Sequence, residues 1–112
     1  MVKSTLFGRL VADPTSKEVN GAQCTTFRLA CDTVKKGDDG KYVSLFITVT
    51  TWRKTAELCA GLTKGKRLMV IGDYFERPYK DKNGNDGISR ELQADTVQFI
   101  DPRAAENDPF NS

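Results

Sequence analysis

Trp52 is the chain's only tryptophan, and it stands directly before Arg53 and Lys54 in the stretch 43-VSLFITVTTWRKTAEL-58. Phe46 lies six residues earlier, with Thr48 and Thr50 at the alternate positions between. A strand sends successive side chains to opposite faces, so Leu45, Ile47 and Val49 point one way and Phe46, Thr48, Thr50 and Trp52 the other. The first set is a core face. The second holds two flat rings roughly 20 Å apart, at about 3.3 Å per residue, with small hydroxyls between them. That makes a poor second core and a good platform for unpaired bases, which stack for ~1–3 kcal/mol each with little regard to sequence. Arg53 and Lys54 beside the Trp52 ring are placed to meet the phosphates of a stacked strand. The competing reading has a helix or a subunit partner covering both rings.

A second constellation repeats the theme. In 77-RPYKDKNG-84, Tyr79 sits between Arg77 and Lys80, with Lys82 beyond. An aromatic among cations on a flexible loop, expected over 78–87, suits a groove that follows a nucleic-acid backbone. The loop 35-KKGDDGK-41 adds Lys35 and Lys36, offset by Asp38 and Asp39. Catalytic chemistry has less to work with. The chain has no histidine, so it lacks the commonest general base and any Ser-His or Cys-His pair. Cys24, Cys31 and Cys59 form no CxxC pair, and a zinc site would need all three plus a carboxylate. They read as reduced, buried thiols, so no catalytic residue, metal or cofactor is expected. A small cysteine enzyme remains the alternative from another class; it would need an exposed thiol of lowered pKa.

The elements that would hold these side chains are mostly strands. Period-two patterning marks 3–12, 23–31, 42–52, 67–77 and 88–100, with Thr25, Phe27, Leu29 and Cys31 sharing one face of the second. Asp13-Pro14 opens a polar loop running to Asn20-Gly21. From Arg53 to Leu62 the spacing changes to three, through Ala56, Cys59 and Leu62, which implies a short helix closed at Lys64-Gly65-Lys66. Five strands with one helix between the third and fourth is the order of an OB-fold: an all-β barrel with long hairpin loops whose open face binds oligonucleotides.

At 112 residues, 38% hydrophobic and 29% charged, the chain is expected to be a single globular domain with one core. No apolar run is long enough to span a membrane, and none stands unbroken before Arg9 as a signal peptide would need. The expected location is cytoplasmic. Charge is uneven. Residues 1–100 hold 16 Lys and Arg against 12 Asp and Glu, whereas 101–112 hold Arg103 against Asp101, Glu106 and Asp108. A mildly basic body suggests a polyanion partner, and an acidic end suggests a separate role for the tail.

The sequence resembles the bacterial-type single-stranded DNA-binding proteins. The resemblance covers 3–101 and rests on LFGRLVADP (6–14), FRLA (27–30), WRKTAEL (52–58), KGKRLMVIG (64–72), RPYKDKNG (77–84) and ELQADTVQFI (91–100). It implies an OB-fold over 1–102 that coats single-stranded DNA in replication, recombination and repair without enzymatic activity. It also implies a homo-oligomer, a tetramer or a dimer. Phe46, Trp52 and Tyr79 match base-stacking positions, and Lys54 and Arg77 match basic ones. In the tail, 103–112, Asp108-Pro109-Phe110 echoes the acidic tip through which the family contacts replication and repair proteins, although Asn111-Ser112 follow it. The resemblance also admits a primosomal or replication accessory protein of the same fold acting mainly through protein contacts.

Overall fold

The computed structural model describes residues 1–100; the candidate tail, with Asp108, Pro109 and Phe110, lies outside them. Six strands and one helix follow in the order β1 (Lys3–Leu10), β2 (Thr15–Val19), β3 (Ala22–Lys36), β4 (Tyr42–Trp52), α1 (Arg53–Ala60), β5 (Arg67–Lys80) and β6 (Asp86–Phe99). The sheet order is β1-β5-β6-β4-β3-β2, and β1 also pairs with β3 through Arg9↔Ala30 and Leu10↔Leu29. Five strands therefore close into a ring, with α1 between its third and fourth strands in chain order. This is the expected OB-fold.

The sixth strand, β2, corrects the expected polar loop. Asn20 and Gly21 both have positive φ, 49° and 81°, as a two-residue hairpin turn requires. That turn folds Thr15–Val19 back on β3 in the register Val19↔Ala22 to Thr15↔Thr26. Both long hairpins also extend farther than expected, the β3–β4 one through a register shift between Asp32 and Lys36. β3 runs on to Lys36, and β5 and β6 pair from Lys80↔Asp86 inward, leaving only 81–85 as a turn. The Asp81 carboxylate organises that turn by accepting from the backbone N–H groups of Asn83 at 2.8 Å and Asn85 at 2.9 Å. Tyr79 accordingly sits on a strand, not on a flexible loop.

The core inside the ring is built from Leu10, Phe27, Leu29, Ile47, Val49, Leu68, Val70 and Leu92, all buried. Alternation on β4 delivers Ile47 and Val49 to it, as the spacing predicts. Helix α1 ends earlier than Lys64-Gly65-Lys66 suggests. Gly61 is the capping residue, and the Leu62 N–H donates to the Cys59 carbonyl at 3.1 Å while the Leu62 side chain packs on the core. Burying Leu62 thus turns the chain out of the helix one residue after Ala60.

Candidate nucleic-acid interface

Two buried threonines fix where Trp52 goes. Thr51 Oγ1 donates to the Thr25 carbonyl at 2.7 Å, and Thr25 Oγ1 donates to the Ala56 carbonyl at 2.8 Å. Inside the fold each hydroxyl satisfies a backbone oxygen, and together they clamp α1 across β3 and β4. With Thr51 turned inward, Trp52 must face the other way. It occupies the N-cap of α1 and lines a hollow of about 370 Å³ with Val19, Asn20, Ala22, Arg53 and Gln93. The residue is partly buried. Arg53 and Lys54 are both exposed at the first turn of α1, which carries no acidic residue. These cations add to the positive dipole end of the helix, so this corner is electrostatically suited to an anion.

Phe46 and Tyr79 meet elsewhere. A cleft of about 650 Å³ between the outer face of β3–β4 and the β5–β6 ribbon is lined by both rings, with Arg28, Arg77, Arg90 and Glu91. Phe46 is 46% and Tyr79 52% exposed, so neither ring is spent on the core. The register explains the convergence. Ala30↔Phe46 and Arg28↔Thr48 set Arg28 diagonal to Phe46, and its guanidinium lies over that ring at 5.2 Å from the centroid. The parallel pair Thr48↔Glu91 then brings the β5–β6 ribbon alongside.

Arg77 is engaged within the cleft. Its Nε donates to Glu91 Oε2 at 2.6 Å and its Nη2 to Oε1 at 2.8 Å, a bidentate pair, while Ser89 Oγ lies 3.1 Å from Oε2. Glu91 is only 8% exposed. The Arg77 hydrogen bonds hold its carboxyl below the usual range against the opposing effect of burial, so it stays ionised at neutral pH. Three arginines face one glutamate, and the cleft keeps a positive excess.

The remaining predicted positions lie apart from the cleft. Lys80 pairs with Asp86 at 2.9 Å near the ribbon tip, where both are well exposed and the pair contributes little. Lys35 is exposed at the end of β3, and Lys36 Nζ stands 5.3 Å from the Tyr42 ring centroid across the hairpin. Trp52 shares a face with Phe46, with Thr48 and Thr50 between them, but lines a different hollow. Arg28, Arg90 and Glu91 were missed by sequence reasoning. Arg28 occupies a polar slot between Phe27 and Leu29, and only the β3–β4 register shows what it lies over.

All three cysteines are buried and free. Burial pushes the Cys59 thiol up to about 11, against a weaker opposing hydrogen bond with Thr51, and burial also raises Cys31. That is the opposite of an activated thiol, and it weighs against cysteine-based catalysis.

Residues 1–100 match the model of the single-strand binding protein family. The chain belongs to this family. Among relatives, the single-stranded DNA-binding protein of Caldanaerobacter subterraneus subsp. tengcongensis is 36% identical over 104 residues, covering 91% of this chain and 69% of the relative. Single-stranded DNA-binding protein A of Bacillus subtilis is 37% identical over 100 residues, covering 88% of this chain and 58% of the relative. The crystal structure of a small single-stranded DNA-binding protein from Streptomyces coelicolor superposes with a TM-score of 0.71 at 19% identity, covering 94% of this chain and 96% of that one. At that identity the likeness is one of fold.

Proposed function

We propose that this chain binds single-stranded DNA with little regard to sequence. Bases stack on Phe46, Tyr79 and Trp52, and phosphates meet Arg28, Arg90, Arg53 and Lys54, with Lys35, Lys36 and Lys80 at the hairpin ends. The observation that carries this reading is the cleft in which two exposed rings converge among three arginines and one glutamate. A ligand with flat faces and a polyanionic backbone satisfies both features; a duplex, whose bases already stack on each other, satisfies only the second. The names of the relatives point the same way. The test is Trp52 fluorescence titrated with poly(dT) and with duplex DNA of equal length. Strong quenching by the first and little by the second is expected, and comparable binding to both would sink the stacking mechanism.

The reading extends to a non-enzymatic protein that coats single strands in the cytoplasm during replication, recombination and repair, and does so as a homo-oligomer. The exposed Phe7, on a β1 whose outer edge among the described residues is paired only at Arg9 and Leu10, supports self-association. In this account Asp108-Pro109-Phe110 serves partner proteins and plays no part in assembly. Sedimentation of the full chain and of one lacking 104–112 should give the same oligomer. A lone monomer, or a change of oligomer on truncation, would contradict that part.

A further inference from the structure

Tyr79 is paired across the β5–β6 ribbon with Gly87. A β-carbon added to Gly87 would lie 2.5 Å from Cζ of Tyr79, 2.7 Å from its Oη and 2.8 Å from its Cε1. Near-equal distances to three consecutive atoms put that spot over the face of the ring, not beyond its edge. The phenol thus lies face-on across the bare backbone of Gly87, with its other face turned outward. Glycine weakens a strand interior, so its presence in β6 calls for a reason. The backbone supplies none, since Gly87 is not among the residues of positive φ. What needs the glycine is the ring.

We propose that Gly87 is a positioning residue for Tyr79, its missing side chain forming the seat that holds the phenol in the plane required for stacking. The inference rests on the single-stranded DNA reading above. With any β-carbon at 87, the ring must swing off the ribbon. It can do so cheaply, because it is the free end of a side chain and not backbone. The displaced ring keeps its exposure and loses its fixed orientation, so each stacked base would have to order it anew.

The experiment is an affinity cycle on a dye-labelled oligo(dT), using the full chain, Tyr79→Ala, Gly87→Ala and the double variant. Tyr79→Ala should weaken binding about 5- to 150-fold. Gly87→Ala should reproduce most of that loss while melting at the wild-type temperature, and should cost nothing further once Tyr79 is alanine. If Tyr79→Ala binds weakly but Gly87→Ala binds like wild type, the seat is overturned and the stacking reading stands. If Tyr79→Ala itself binds like wild type, stacking at Tyr79 and its seat fall together. Equal losses from Gly87→Ala with and without the ring would assign glycine to the ribbon and overturn the proposal. A measurement on the unliganded protein stands even if alanine disturbs the ribbon. The ring current of a face-on phenol should shift the Gly87 Hα resonances upfield, and Tyr79→Ala should return them. Unshifted resonances would overturn the seat directly.

Discussion

Replacing Phe46 and Tyr79 together by alanine should reduce affinity for poly(dT) by about 2–6 kcal/mol, at ~1–3 kcal/mol for each base that loses its ring. Even the lower end is roughly a 30-fold weaker complex. The fold should survive. Both rings are about half exposed, and neither belongs to the core cluster inside the strand ring. The stacked Arg28 guanidinium loses its partner, which at an exposed site costs about 0.5–1 kcal/mol of stability. Anisotropy titrations alongside thermal melts separate the two effects. Undiminished affinity in a folded double variant would remove the cleft from the binding site. A double variant that no longer melts cooperatively would make the rings structural.

That variant can be chosen from the sequence because one feature of β4 is legible there. Alternation of Leu45, Ile47 and Val49 with Phe46, Thr48, Thr50 and Trp52 separates core from surface within a single strand, and the structure keeps that separation. Thr25, Phe27, Leu29 and Cys31 are legible on β3 for the same reason, and all four are buried. What escapes is whatever depends on two distant strands meeting in register. Arg28 reads as an ordinary polar alternate until Arg28↔Thr48 sets it beside Phe46. Arg77 reads as a cation open to phosphate until the hairpin register brings Glu91 within 2.6 Å of it.

Two strands escape for opposite reasons. β2 is a short, exposed edge strand, Thr-Ser-Lys-Glu-Val, with no buried residue to give it a period. Its signature is the turn, Asn20-Gly21, and not the strand. The outer half of β5 contains Pro78 and reads as a break. The last bond on the β1 side is from the Tyr74 N–H to the Val2 carbonyl. From Phe75 onward, among the described residues, β5 pairs with β6 alone, and a proline is tolerated on a strand that has an open edge. Such a ribbon carries Tyr79 out beside Phe46 with a rigidity that a loop would lack. Function here depends on strand length as much as on residue type.

Gly72→Ala should have the reverse profile of Gly87→Ala: a damaged fold with binding intact wherever the protein remains folded. Gly72 is buried on β5, beside the register shift that follows Ile71 in its pairing with β6. A β-carbon there would fall 2.8 Å from Ala94 Cα and 2.9 Å from the Gln93 carbonyl carbon, with the Gln93 oxygen closer still. These are backbone atoms of the neighbouring strand, and they cannot swing aside as the Tyr79 ring can. The strands must spread just where β5 passes from the ring of strands into the ribbon. Overpacking of this kind costs about 1–3 kcal/mol, which for a domain of this size lowers the melting midpoint by roughly 5–20 °C. The cleft lies farther along the ribbon, so well below the new midpoint poly(dT) affinity should match the wild type. Thermal melts of both glycine variants, each paired with a cold titration, make the comparison. Equal melting temperatures for Gly72→Ala and wild type would mean that the register shift already gives β5 room to move. The contrast between a glycine kept for the fold and a glycine kept for the ligand would then be lost.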